Sequence, residues 1–173
     1  MKRFGSIFLG IGLVLFSFSN LYSQRQQPED ILAFYYFGST NIGFCTAAEN
    51  IEKIKRIKEN LPLKYNNIRM KFVLVCLDKD MEAGFNYVKK HGQWDEISIG
   101  DAFRNELALY YLNTTEVPSI PHIIVFLNTI TIGKWNIPIL KKRKMIVDLA
   151  GEKQIGDWIK QDYPLSLNKK YYF

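Results

Sequence analysis

Two cysteines and two histidines, Cys45, Cys76, His91 and His122, are the side chains of this sequence best suited to nucleophilic, redox or metal chemistry. A cysteine reacts as its thiolate, so its surroundings decide whether it reacts at all. Cys76 lies inside Lys71-Phe-Val-Leu-Val-Cys-Leu77, a continuous apolar run of the kind that forms a strand buried on both faces. A thiol there serves as a small core side chain. Cys45 precedes a helical pattern, and a thiol in a first helical turn can gain acidity, form mixed disulfides or be oxidised to a sulfenic acid. A bond between the two cysteines needs an oxidising compartment, and the strand position of Cys76 argues against it. The histidines share no metal-ligand spacing with the cysteines, and His122, which follows Pro121, reads as a residue that packs or lines a groove rather than as a base. No Gly-rich phosphate loop, Ser/His/Asp arrangement or carboxylate pair stands out; Asp78, Asp80 and Glu82 read as helix start and surface. No cofactor or metal is expected.

The elements that must position these residues alternate in type. Ile31–Phe37 is an aromatic-rich strand, followed by a helix in which Ile51, Ile54, Ile57 and Leu61 recur at three- and four-residue spacing. Residues 70–77 form the second strand. Asp78 or Asp80 can cap the next helix, with Met81, Phe85 and Val88 on one face and His91-Gly92 ending it. A short strand at Ile97–Ile99 leads to a helix over 101–112 opened by Asp101. Then come the strand His122–Phe126, a turn at Leu127-Asn128, strands at 129–132 and 144–149, and a final helix bearing Ile155, Trp158 and Ile159. This order predicts an α/β domain: a mixed sheet of parallel strands extended by an antiparallel hairpin, with helices on both faces.

On that framework the chain resembles the thioredoxin superfamily, and within it the TlpA-like redoxin branch, across about residues 31–162. Three places carry the resemblance in order. Phe37-Gly-Ser-Thr-Asn-Ile-Gly-Phe-Cys45 lies over the family's strand-to-helix turn and sets Ile42-Gly43-Phe44-Cys45 on its Cys-Gly-x-Cys motif. Val117-Pro-Ser-Ile-Pro121, before the strand His122–Phe126, looks like the loop that carries the family's cis proline. Val147-Asp-Leu-Ala-Gly151 with the helix after it is similar to the closing strand and helix. The extra helix and short strand before Pro121 match the longer, often exported TlpA-like branch. The resemblance implies a thioredoxin fold with a helical insertion before the cis-proline loop.

The chemistry departs from that pattern. In the family the first motif cysteine attacks a disulfide as a thiolate and the second resolves the mixed disulfide. Here Ile42 stands at the attacking position and only Cys45, at the resolving position, remains. The glutamate common three residues after the second cysteine is replaced by Ala48, and a peroxiredoxin-type threonine three residues before Cys45 is absent. Cys45 is therefore read as an inert structural thiol, with a reactive monothiol and a Cys45–Cys76 bond as the alternatives. Since the family's proline loop binds extended peptide beside the motif, a groove between Ile42, Gly43 and Phe44 on one side and Ser119, Ile120 and Pro121 on the other is expected to persist.

Lys2 and Arg3, the apolar stretch Ile7–Phe18 and small or polar residues through Ser23 have the layout of a secretory signal cleaved near Gln24, with an uncleaved N-terminal anchor as the alternative. The expected organisation is a signal peptide over 1–23, a thioredoxin-like domain over 24–163 and a C-terminal tail over 164–173. The composition, 47% apolar and 23% charged, is that of one globular domain rather than a disordered chain. A formal charge of +6 falls slightly on loss of Lys2 and Arg3, which leaves a mildly basic protein. The densest run, Lys141-Lys-Arg-Lys144, reads as a solvated loop, although clustered charge of this sort can attract an anionic membrane surface. Nucleic acid is not an expected partner, because no aromatic platforms are interleaved with the run. The sequence thus points to an exported, periplasmic or extracellular protein that binds an extended peptide or protein partner in the cell envelope. The alternative is a thiol-disulfide oxidoreductase or monothiol redox protein using Cys45.

Overall fold

The computed structural model describes residues 28–167; the expected signal peptide and residues 168–173 of the expected tail over 164–173 lie outside them, whereas Leu165 of that tail is described and buried. Five strands form one sheet: β1 (Glu29–Gly38), β2 (Arg69–Cys76), β3 (Glu96–Ile99), β4 (His122–Ile132) and β5 (Pro138–Ala150), in the order β3-β2-β1-β4-β5. β1 pairs parallel with β2, and β2 parallel with β3. Strands β4 and β5 are neighbours joined by Gly133–Ile137, a connection too short for a crossover, so they run antiparallel. The helices are α1 (Gly43–Thr46), α2 (Ala48–Lys64), α3 (Met81–Lys90), α4 (Glu106–Tyr110) and α5 (Gly151–Lys160). Two compact units divide the chain, and the described part of the smaller one is chiefly the outer hairpin, residues 129–142.

In the larger unit β1 is central, so its side chains alternate between two apolar layers. Leu32, Phe34 and Tyr36 join Ile54, Ile57 and Leu61 of α2, Tyr87 and Val88 of α3, and Ile155 and Trp158 of α5. Ala33, Tyr35 and Phe37 face the other way, onto Ala108, Leu112, Ile124 and Phe126. The sheet is thus covered on both faces, as the alternation of elements predicts. The chain after α5 completes the first layer. Tyr65, 1% exposed, donates its hydroxyl to the Tyr163 carbonyl at 2.9 Å and accepts from the Leu165 amide at 3.0 Å.

Four local expectations are corrected. The expected turn at Leu127-Asn128 does not occur; β4 runs through it, and the Asn128 side chain is satisfied across the hairpin, its Oδ1 accepting from Arg143 Nε at 2.9 Å. The hairpin turns instead at Gly133–Ile137, and β5 begins at Pro138 rather than near 144. Residues 101–112 are not one helix. Asp101 is left-handed (φ 55°), a 3-10 turn follows at Ala102–Arg104, and Asn105 caps α4 by accepting from the Leu107 amide. In α3 the buried face is Gly84, Tyr87 and Val88, whereas Met81 and Phe85 are exposed. The cause is Gly84: a Cβ there would lie 2.4 Å from Ile99 Cγ2, so β3 packs against the bare backbone.

Candidate functional site

The parallel register sets Gly38 opposite Cys76, so the chain leaves β1 and β2 side by side at their carboxyl ends. The crevice outside such ends is where open α/β sheets hold ligands. Asp78, which the sequence reading placed at a helix start or on the surface, is instead 1% exposed beneath the turn that follows β1. Its carboxylate accepts from Ser39 Oγ at 2.6 Å, from the Thr40 amide at 3.0 Å, from Thr40 Oγ1 at 2.8 Å and from Cys76 Sγ at 3.0 Å. Burial works to raise the carboxyl pKa, but these four groups outweigh it and hold it below the ordinary aspartate value. The cap of α3 is Asp80 alone, through the Ala83 amide.

The same anchor fixes the segment that carries Cys45. Ile42 donates its amide to the Ser39 carbonyl, and the Cys45 amide donates to the Ile42 carbonyl at 2.9 Å, which starts α1. Ile42 is half-buried against the first apolar layer, Gly43 is exposed and Phe44 half-buried. Cys45 is 1% exposed and shares that layer with Tyr36 and Tyr87. Burial pushes its thiol above the ordinary value, the backbone hydrogen bond at Ser39 offsetting only part of the effect. Both cysteines are free. Cys76 is more strongly perturbed, pushed up to about 12 by burial and by the Asp78 carboxylate that its thiol faces. Despite its place in α1, Cys45 is thus held above its ordinary value, chiefly by burial.

This predicts the alkylation behaviour of Cys45. In the folded protein its reaction with iodoacetamide should be slow at neutral pH and should still be rising at pH 9, because the thiolate fraction keeps growing there. A rate that levels off near or below pH 7 would show an exposed, acidic thiol and overturn this account.

Pro121 is buried and its bond to Ile120 is cis; its carbonyl accepts from the Gly151 amide at 2.9 Å, which ties the loop to the start of α5. A cleft of about 550 Å³ opens between the Asp78-anchored turn and this loop, with Ile42, Asp78, Asp80, Phe103 and Ile120 in its wall. Of the expected groove residues, the structure brings Ile42 and Ile120 to this cleft; Gly43, Phe44, Ser119 and Pro121 do not line it. Phe103, from the segment before α4, lines it without having been expected. The two histidines serve other contacts. His122 is buried with Nε2 2.6 Å from Asp148 Oδ1, and His91 Nδ1 lies 3.0 Å from the Tyr87 carbonyl oxygen.

No protein-family model matches the sequence, and no curated protein matches it. Among solved structures the chain is similar to a thiol-disulfide oxidoreductase from Bacteroides fragilis NCTC 9343 (20% identity, 77% of this chain and 81% of that one, TM-score 0.42). It is also similar to a putative protein disulfide isomerase from Bacteroides thetaiotaomicron (13%, 80% and 76%, TM-score 0.43). A third is a putative thiol:disulfide interchange protein DsbE from Chlorobium tepidum (13%, 82% of each chain, TM-score 0.39). What identifies the fold is the chain's own topology: parallel β1 and β2 joined through α2, the β4–β5 hairpin on the other side of β1, α5 after it and a cis proline entering β4. With these elements in that order, the chain is a thioredoxin-fold protein.

Proposed function

We propose that the chain is an exported, redox-impaired thioredoxin-like module of the cell envelope that holds an extended peptide or protein segment at the Ile42–Phe44 and Ser119–Pro121 loops. One observation carries the reading: the half-buried residue that opens α1 is Ile42, which cannot attack sulfur, while the thiol one turn later is buried, and that burial pushes its pKa up. What remains at the crevice is a binding surface. Ile42 and Ile120 give the cleft apolar walls, and Lys79, Asp78 and Asp80 give it polar ones. Export is supported by the charged start and apolar stretch of the sequence. Among the described residues no helix is long and apolar enough to cross a membrane.

Two measurements test this proposal. The protein should show no turnover of a disulfide substrate above background, and it should bind a disordered, carboxymethylated polypeptide by fluorescence anisotropy. Ile42→Asp and Ile120→Asp should each weaken that binding about tenfold or more, the cost of replacing an apolar contact by a desolvated charge. Robust disulfide reduction lost in Cys45→Ser, or binding indifferent to both cleft substitutions, would overturn it.

A further inference from the structure

The outer hairpin presents a second surface, unrelated to the cleft. At its tip Trp135 is 91% exposed, and Ile137, Ile139 and Leu140 are 57%, 42% and 46% exposed. Singly exposed apolar residues are ordinary, but four large ones within six positions concentrate apolar surface at this hairpin tip. The exposure belongs to a built turn. Gly133 donates its amide to the Ile137 carbonyl at 2.9 Å, and a Cβ at Gly133 would lie 2.4 Å from Ile139 Cδ1, so Ile139 rests directly on the glycine. Trp135 and Asn136 both adopt left-handed backbone, φ 63° and 59°, a conformation asparagine tolerates but one that is strained for a bulky residue such as tryptophan. The turn therefore presents Trp135 with its side chain exposed.

Along the hairpin itself the formal charges have one sign. Lys134, Lys141 and Lys142 are exposed, and among the described residues none of the three is in an ion pair. The sequence has no aspartate or glutamate between Glu116 and Asp148. We propose that this hairpin tip, residues 133–142, is a docking surface for an anionic lipid bilayer: Trp135, Ile137, Ile139 and Leu140 enter the headgroup region while Lys134, Lys141 and Lys142 meet the lipid charges.

The match is chemical. The headgroup region favours tryptophan, whose ring is largely apolar and whose N–H can bond to water or lipid oxygen. Lysines bury their methylene stems along such a surface while the ammonium groups stay among the charges. Apolar insertion and attraction to anionic lipid add together in interfacial binding. Other occupants fit less well. A second copy would set three uncompensated lysines against three more in an isologous contact. Single-stranded nucleic acid is held on successive aromatic faces, and this tip has one.

The test uses the full chain and vesicles of phosphatidylcholine, with or without phosphatidylglycerol, carrying brominated acyl chains that quench nearby tryptophan. The contribution of Trp135 is the difference between the natural sequence and Trp135→Phe. That contribution should be quenched on phosphatidylglycerol-containing vesicles, hardly on phosphatidylcholine alone, and less as salt is raised. Lys141→Glu combined with Lys142→Glu should weaken binding to the anionic vesicles about tenfold or more. The apolar stretch Ile7–Phe18 is common to every variant, so these comparisons isolate the hairpin. Vesicle-bound protein whose Trp135 stays unquenched, or binding unchanged by the charge reversals, overturns the proposal. Failure here leaves the cleft reading intact, because peptide binding is measured without lipid.

Discussion

Asp78→Ala is expected to destabilise the protein by about 2–4 kcal/mol at neutral pH, as measured by urea unfolding. The substitution removes one acceptor and strands several donors at once. Ser39 Oγ, the Thr40 amide and hydroxyl, and the Cys76 thiol all point at this carboxylate, and Ser39 and Cys76 are buried. A charged acceptor that receives this many hydrogen bonds has more to lose than a surface carboxylate in an exposed ion pair. The effect should depend on pH with a definite sign. The folded carboxyl titrates below its ordinary value, burial notwithstanding, because of these donors. Its stabilisation is therefore fully present above the unfolded aspartate pKa, about 3.9, and is lost as the pH falls through the lower folded value. The gap between the natural sequence and Asp78→Asn should accordingly be constant from pH 7 to about pH 5 and shrink in stronger acid. A gap that is negligible at pH 7, or that widens on acidification, would show that Asp78 does not hold the turn.

Ile42→Cys should create disulfide reductase turnover where the natural sequence has none. Position 42 opens α1, and the Cys45 amide bonds back to its carbonyl at 2.9 Å, so the two side chains stand one turn apart, within the span of a disulfide. The introduced thiolate would attack a substrate disulfide and expel one substrate thiolate. Cys45, on losing its proton, would then attack the introduced sulfur and release the second, leaving the protein oxidised and the substrate reduced; a small dithiol reductant added to the assay returns the protein disulfide to the dithiol for the next cycle and is itself oxidised. Because burial keeps the Cys45 thiol protonated at neutral pH, this second step should be slow and should accelerate with rising pH. The loss of isoleucine volume should cost about 1–2 kcal/mol without unfolding the chain. Adding Cys45→Ser should stop turnover and accumulate the mixed disulfide, visible by intact mass. If the single variant folds and its new thiol alkylates freely, yet no turnover appears, Cys45 does not occupy a resolving position.

Much of the fold was legible because it is written in local periodicity. The apolar run of β1 and the spacing of Ile51, Ile54, Ile57 and Leu61 need only neighbouring residues to be read, whereas the cis-proline loop before His122 was expected from the resemblance. The errors came where a distant residue decides the outcome. Asn128 looks like a turn residue until Arg143 is placed across the hairpin from it. The buried face of α3 follows from the fit of Ile99 onto Gly84, which a helical wheel cannot show. Asp78 is the instructive case for the site. An aspartate just after an apolar strand reads equally well as a helix cap, and only the pairing of Gly38 with Cys76 brings Ser39-Thr40-Asn41 alongside it. A polar triplet ending one buried strand and a lone carboxylate ending its parallel neighbour were the signal available. The cleft itself was half legible: Ile42 and Ile120 follow from the two loops, but Phe103 arrives through the left-handed backbone at Asp101 and Ala102.

The clamp that Tyr65 makes on the Tyr163 carbonyl and the Leu165 amide bears on when this chain can fold. Those partners follow every strand in the sequence, so they emerge from a ribosome, or from a translocation pore, after the whole sheet has done so. Until they arrive, the Tyr65 hydroxyl and the Trp158 indole, which donates to the Pro164 carbonyl at 3.0 Å, lack their partners and one side of the inner layer stays open. Domains generally fold as units as they are synthesised, and one that closes on its late residues remains loose for longer. On the export route proposed above, such a delay would favour a chain that has to be threaded through a membrane before it folds.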